Sequence, residues 1–191
     1  MARPGTGAAL AARPGLVLGI DPGTAVTGYG VVAFDGRTPT LVECGVIRTT
    51  ARDVLPLRLL EIHEGVEELI ARHHPDTMSV EDVFFARNVR TTVVLGHARG
   101  VILLAAQKAS LVIHEYAPAE IKKAIVGNGR ATKEQVQFMV ARLLRLKQAP
   151  QPADAADGVA AALCACLSAN LPRLELPSIA DALARSSRLR R

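Results

Sequence analysis

Four carboxylates in this 191-residue chain stand where acids commonly do chemistry. Asp21 follows the apolar run 16–20 and opens Asp21-Pro22-Gly23-Thr24. Glu81 ends Thr77–Glu81, where Met78 and Val80 alternate with Thr77 and Ser79. Asp154 and Asp157 are three apart at the start of an Ala-rich stretch, so on a helix they share a face. Ends of adjacent strands facing a helix terminus are a common site in an α/β sheet. Several carboxylates there repel one another unless a cation neutralises them, and hard oxygen ligands favour Mg²⁺ or Mn²⁺. Two such ions roughly 4 Å apart clamp a phosphodiester, one activating water and one stabilising the leaving oxygen. Each acid also has a plain structural reading. Asp21 before Pro-Gly is a turn residue. Of the adjacent Glu81 and Asp82, one is free to be solvated. Asp154, with Asp157 near the third helical position, reads as a helix N-cap.

Other residues carry weaker signals. Gly23, Gly28 and Gly30 after an apolar strand resemble a phosphate-binding turn, or else mark hairpin positions of positive φ. Phe84-Phe85 concentrates two of only six aromatics just after Glu81. One fits the core; the other, beside Arg87, Asn88 and Arg90, is either placed to stack on an exposed base or packed in the core as well. The histidines show no paired-ligand spacing, and His73-His74 suit a helix C-terminus. Cys44, Cys164 and Cys166 form no disulfide framework, which points to a reducing, cytoplasmic compartment. Cys164-Ala165-Cys166 lacks zinc spacing and reads as two buried core residues.

These groups need elements to hold them. Residues 1–15 are read as a flexible extension without a secretory-signal pattern. Strands are expected at 16–20, 27–34 and 40–48, joined by tight turns into an antiparallel meander. Residues 55–72 switch to helical period, with Leu55, Leu59, Ile62, Val66 and Leu69 on one face, and His73-His74-Pro75 stops them. A strand at Thr77–Glu81, a helix at Val89–Lys108, a strand at 111–115 and a short helix at Pro118–Val126 follow. Thr132 N-caps a helix reaching about residue 147, and 154–169 form the last helix. The order predicts one α/β domain over 16–170, with a mixed five-stranded sheet and helices on both faces, then a basic tail, 171–191. No apolar run reaches the roughly 18 residues of a membrane span.

Net charge is +5, but its distribution is the informative part. The two ends supply all of it, leaving the body neutral. Within the body, residues 53–82 hold eight acids against Arg58 and Arg72, whereas 83–147 hold eleven bases against Glu115, Glu120 and Glu134. A long basic segment after an acidic one suggests a polyanion-binding face, or a set of solvated helix faces.

Together the segments resemble the RuvC family of bacterial Holliday junction resolvases. Gly19-Ile20-Asp21-Pro22-Gly23-Thr24 with Thr27-Gly28-Tyr29-Gly30 is similar to its opening. Val80-Glu81-Asp82-Val83-Phe84-Phe85-Ala86-Arg87-Asn88, Leu95-Gly96 and Ala98-Arg99-Gly100 follow in order. Tyr116-Ala117-Pro118, Lys122, Val126-Gly127, Lys133 and Gln135-Val136 resemble its basic segment, and 152–157 its closing acidic helix. The resemblance covers about 16–170. It implies an RNase H-like fold, a homodimer, and a junction-specific endonuclease using two Mg²⁺ or Mn²⁺ ions per site. Asp21, Glu81, Asp154 and Asp157 then occupy the metal-binding places, and Asp154 either binds metal or assists the attacking water. Phe84 takes the place of the base-stacking aromatic, Lys122 and Lys133 are basic positions important for DNA, and Arg87 replaces a common Lys. Gly158 replaces a more usual Ala, which softens the helix.

The implied reaction is paired incision of four-way junction DNA in strands of like polarity, leaving 5′-phosphate and 3′-hydroxyl ends. The implied partner is the RuvA–RuvB branch-migration complex, with no membrane involved. One rival is a sugar kinase or actin-like ATPase, whose first phosphate motif also puts Asp-x-Gly-Thr after a strand but which needs a second domain and phosphate loop. Another is an RNA-processing or non-catalytic junction-binding relative on the same fold.

Overall fold

The computed structural model describes residues 15–82 and 89–168. The expected roles of Phe84, Arg87 and Asn88, and of the segments 1–14 and 171–191, fall outside the described residues. Strands β1 (Gly15–Asp21), β2 (Val26–Phe34) and β3 (Pro39–Arg48) form the meander. Then come α1 (Leu55–His73), β4 (Thr77–Glu81), α2 (Val89–Lys108), β5 (Val112–Tyr116), α3 (Pro118–Val126), α4 (Lys133–Leu143) and α5 (Ala153–Ser168). The sheet order is β3-β2-β1-β4-β5. β1 is antiparallel to β2 but parallel to β4, and β4 is parallel to β5, which makes the expected mixed sheet.

Local chemistry sets the breaks between elements. Asp35 accepts from the backbone N–H of Arg37 and Thr38 at 2.8 and 2.6 Å, and Gly36 takes the left-handed conformation, closing the β2–β3 turn. At the end of α1, His74 turns left-handed and donates to the Ile70 carbonyl, and Pro75 cannot continue the helix. Thr132 and Gln135 exchange hydrogen bonds as a capping box, so Lys133 becomes the first residue of α4.

Strand alternation splits the core into two layers. Leu18, Ile20, Val31, Met78 and Val80 pack beneath α1 and α2. Val17 and Val32 pack on the other face with α3, α4 and α5. α5 is buried almost throughout. The Thr77, Ser79, Glu81 face of β4 is therefore not a solvent face: Ser79 is fully buried and its hydroxyl donates to the Ala161 carbonyl of α5 at 2.7 Å.

Several boundaries differ from expectation. Gly15 is already paired with Phe34, so β1 begins one residue before the expected strand. α4 ends at Leu143, not near 147, because Arg145 adopts φ 55° and brings Leu144 and Leu146 onto the core. β5 starts at Val112 because Leu111 still donates back to the Ala106 carbonyl of α2. α2 is by length and composition apolar enough to cross a membrane, although no single run suggested it. In this fold it lies on the sheet, with Ala98, Ile102, Ala105 and Ala106 in the core.

Two corrections bear on the site. Ala155 and Ala156 donate to the Pro152 carbonyl and α5 starts at Ala153, so Asp154 lies within the first turn and does not cap it. Gly28 and Gly30 neither form a phosphate-binding turn nor adopt positive φ; they lie in β2 directly under α5. A Cβ on Gly28 would stand 1.8 Å from the Asp154 carbonyl oxygen, and one on Gly158 would stand 2.5 Å from the Tyr29 Cα. Gly158 is thus a close-approach position and not simply a softened helix. Gly28→Ala should cost about 2–3 kcal/mol in urea denaturation, because backbone must move to admit the methyl group. A loss below roughly 0.5 kcal/mol would show that α5 sits less tightly than this.

Candidate active site

β1 and β4 are parallel neighbours, so their last residues leave the sheet at the same end. Those residues are Asp21 and Glu81. Asp21 faces Gly28 across the β1–β2 ladder, and Gly28 carries the first turn of α5 against its backbone. The contact that needs a missing Cβ thereby delivers Asp154 and Asp157 to the strand ends. The next residue, Asp82, turns away: its N–H donates to the Tyr116 carbonyl at 2.8 Å and its carboxylate lies 3.3 Å from Arg99 Nη2. The two adjacent acids therefore separate, with Glu81 in the site and Asp82 beside it.

The cluster is short of positive charge. Burial pushes the Asp21 carboxyl up to about 8, reinforced by the charges of Glu81 and Asp157. Asp21 keeps its proton and shares a hydrogen bond with Glu81. Burial also raises Glu81, with Asp157 adding to the effect, while the hydrogen bond from Asp21 and the charges of Lys133 and Lys122 act against it. Lys133 Nζ lies 2.7 Å from Asp157 Oδ2, and that hydrogen bond is the main reason its ammonium is held above the usual lysine range.

Asp21, Glu81, Asp157 and Lys133 thus act on one another directly, while Lys122 joins them through Glu81 and Asp154 through Lys133. Arg90 lies in the first turn of α2, exposed, in the opposite layer. α2 also carries Arg99 and Lys108, whose charges meet Asp82 with Glu115, and Glu67. The basic segment 83–147 is therefore not one face; its α3–α4 half accompanies the site. The pattern Ala98-Arg99-Gly100 by itself assigns Arg99 no task. Its task is to tie α2 to the residue after Glu81 and to β5. Cys164 and Cys166 are buried in α5 and their thiols are pushed up to about 11 and 12 by burial, as inert core residues should be.

The donor set fits a hard divalent cation. It consists of carboxylate oxygens, and the raised Asp21 marks unrelieved repulsion that a dication would remove. Among the described residues no three such side chains stand at closed coordination spacing, and Asp157 is turned onto Lys133.

Comparison with known proteins decides the family. The family model described as crossover junction endodeoxyribonuclease RuvC matches residues 17–165. The chain belongs to the RuvC family. A RuvC of Moorella thermoacetica is 52% identical over 151 residues, covering 78% of this chain and 89% of that relative. The Thermus thermophilus RuvC structure superposes with a TM-score of 0.75 at 37% identity, covering 81% of this chain and 95% of that one. T. thermophilus RuvC in complex with Holliday junction substrate gives 0.74 at 35% identity, covering 81% and 94%. The mixed sheet and its helices are accordingly the RNase H-like fold of RuvC.

The buried acid makes the stability of the metal-free RuvC chain depend on pH. Folded Asp21 holds its proton to about pH 8, while its ordinary value is 3.8, so folding takes up a proton between those values and stability falls as pH rises through that window. In chelator, Asp21→Asn should melt level with the parent near pH 4 and several degrees above it at pH 8. Identical pH slopes for the two proteins would contradict the proposed repulsion.

Proposed function

We propose that this chain resolves four-way DNA junctions by paired, metal-dependent incisions in strands of like polarity, leaving ligatable nicks with 5′-phosphate and 3′-hydroxyl ends. The observation that carries this reading is the convergence of Asp21, Glu81 and Asp157 at one end of the sheet in a RuvC-family chain. RuvC enzymes are metal-dependent nucleases, and the four acids supply the oxygen donors such a nuclease needs.

Asp21, Glu81, Asp154 and Asp157 hold Mg²⁺ or Mn²⁺, two ions per site. Bound there, the ions supply an activated water and charge stabilisation of the leaving oxygen. Asp21 is the central ligand, because both Glu81 and Asp157 act on it. Asp154, one turn from Asp157, either ligates or takes the proton of the attacking water. Lys122 and Lys133 stand beside these acids and face the phosphate. Phe84 has the role of stacking on a base at the junction, with Arg87, Asn88 and Arg90, which follow it in sequence, assigned to DNA binding.

The nuclease domain expected over 16–170 takes in Gly15 as well, between an N-terminal extension and a basic tail. A homodimer brings two such sites to one junction. α2 supports this: it exposes Val89, Val93 and Leu104, and added Cβ atoms on Gly96 and Gly100 would meet nothing within 4 Å. The protein works in the cytoplasm, downstream of the RuvA–RuvB branch-migration complex.

Asp21→Asn should retain junction binding and lose more than about a hundredfold in cleavage rate, exceeding the usual loss from a supporting residue. Parallel assays on four-way DNA, duplex DNA and structured RNA check the substrate class. Normal cutting by Asp21→Asn, or preferential cutting of RNA, would refute the reading.

A further inference from the structure

The Lys133–Asp157 bridge has a role that DNA contact alone does not explain. Lys133 is the first residue of α4, fixed there by the Thr132–Gln135 capping box. Its side chain is 64% exposed, yet Nζ reaches inward to Asp157 Oδ2, whose side chain is only 15% exposed. The same ammonium acts on Asp21, Asp154 and Glu81. A flexible lysine with solvent available has found the place where four acids most need a positive charge.

We infer that Lys133 is an internal counter-ion that occupies the Asp157 carboxylate in the metal-free protein and is displaced when a divalent cation binds. The inference rests on the proposed cation site. The bridge takes only Oδ2 and leaves Oδ1 free to ligate, but a dication on the same carboxylate repels the ammonium, so metal loading drives Lys133 off Asp157. The capping box keeps the backbone of Lys133 in place while its side chain leaves, because every bond of the box is made by Thr132 and Gln135. Metal binding therefore costs one ion pair and exposes one ammonium. That released charge lies beside the site, where an anionic backbone would meet it.

Lysine reactivity and metal affinity test this without any cleavage assay. Lys133 acylation is followed by mass spectrometry at limiting reagent, with and without saturating Mn²⁺. Lys108, bridged to Glu67 at the far end of α2, is the internal control. Mn²⁺ should raise Lys133 labelling severalfold and leave Lys108 unchanged. In Asp157→Asn, Lys133 should be reactive without metal and indifferent to it. Lys133→Met should bind Mn²⁺ more tightly than the parent by calorimetry, since no ammonium has to be displaced. Unchanged Lys133 labelling in a protein that demonstrably binds Mn²⁺, or unaltered affinity in Lys133→Met, would overturn the inference and leave the cation site standing. Failure of the parent to bind Mn²⁺ would instead overturn the site itself.

Discussion

Mutual repulsion among carboxylates at one end of the sheet is the constraint around which the molecule is arranged. Water would disperse such charges, and the fold prevents it from doing so. Asp21 and Glu81 are fixed by the parallel pairing of β1 and β4. Asp157 is fixed by a helix lying on β1 and its other neighbour, β2. The Asp21 proton and the Lys133 ammonium are the relief available within the chain. Both are what a divalent cation would replace, so the metal-free arrangement is poised for loading.

Backbone contact, more than side-chain packing, makes this possible. A helix usually rides about 10 Å above a sheet on interleaved side chains. α5 instead sits on glycines: Gly19, Gly28 and Gly30 beneath it, with Gly158 in the helix itself. Removing those four side chains lets an Ala-rich helix reach the sheet. The requirement joins stability to chemistry, since the Gly28 position that cannot accept a methyl group is also the partner of Asp21 across the ladder. Arg99 makes a second link, from α2 to the residue beyond Glu81. The helix that offers an apolar outer face is thereby tied to the strand ends that carry the acids.

Much of this was legible in the chain. Periodic patterns, turn residues and composition placed every strand and helix among the described residues, several to the residue, most cleanly for α1, which buries one apolar face. The four acids stood out because they fall at element ends. Three features were hidden. The glycines of β2 were misread because local rules interpret Gly through φ, whereas here the cause is a helix more than 120 residues away. The end of α4 was missed because Arg145 turns left-handed without a glycine to mark it. The division of the basic segment between two layers was invisible because charge runs carry no information about which sheet face a helix covers.

Proton release on metal binding probes the central repulsion most directly. Calorimetric titration with Mn²⁺ in buffers of different ionisation enthalpy counts the protons displaced. With Asp21 protonated to about pH 8, about one proton should leave per site at pH 7, falling towards zero above pH 9, and Asp21→Asn should release none at either pH. Tight Mn²⁺ binding at pH 7 with no proton release would contradict a site held together against its own charge.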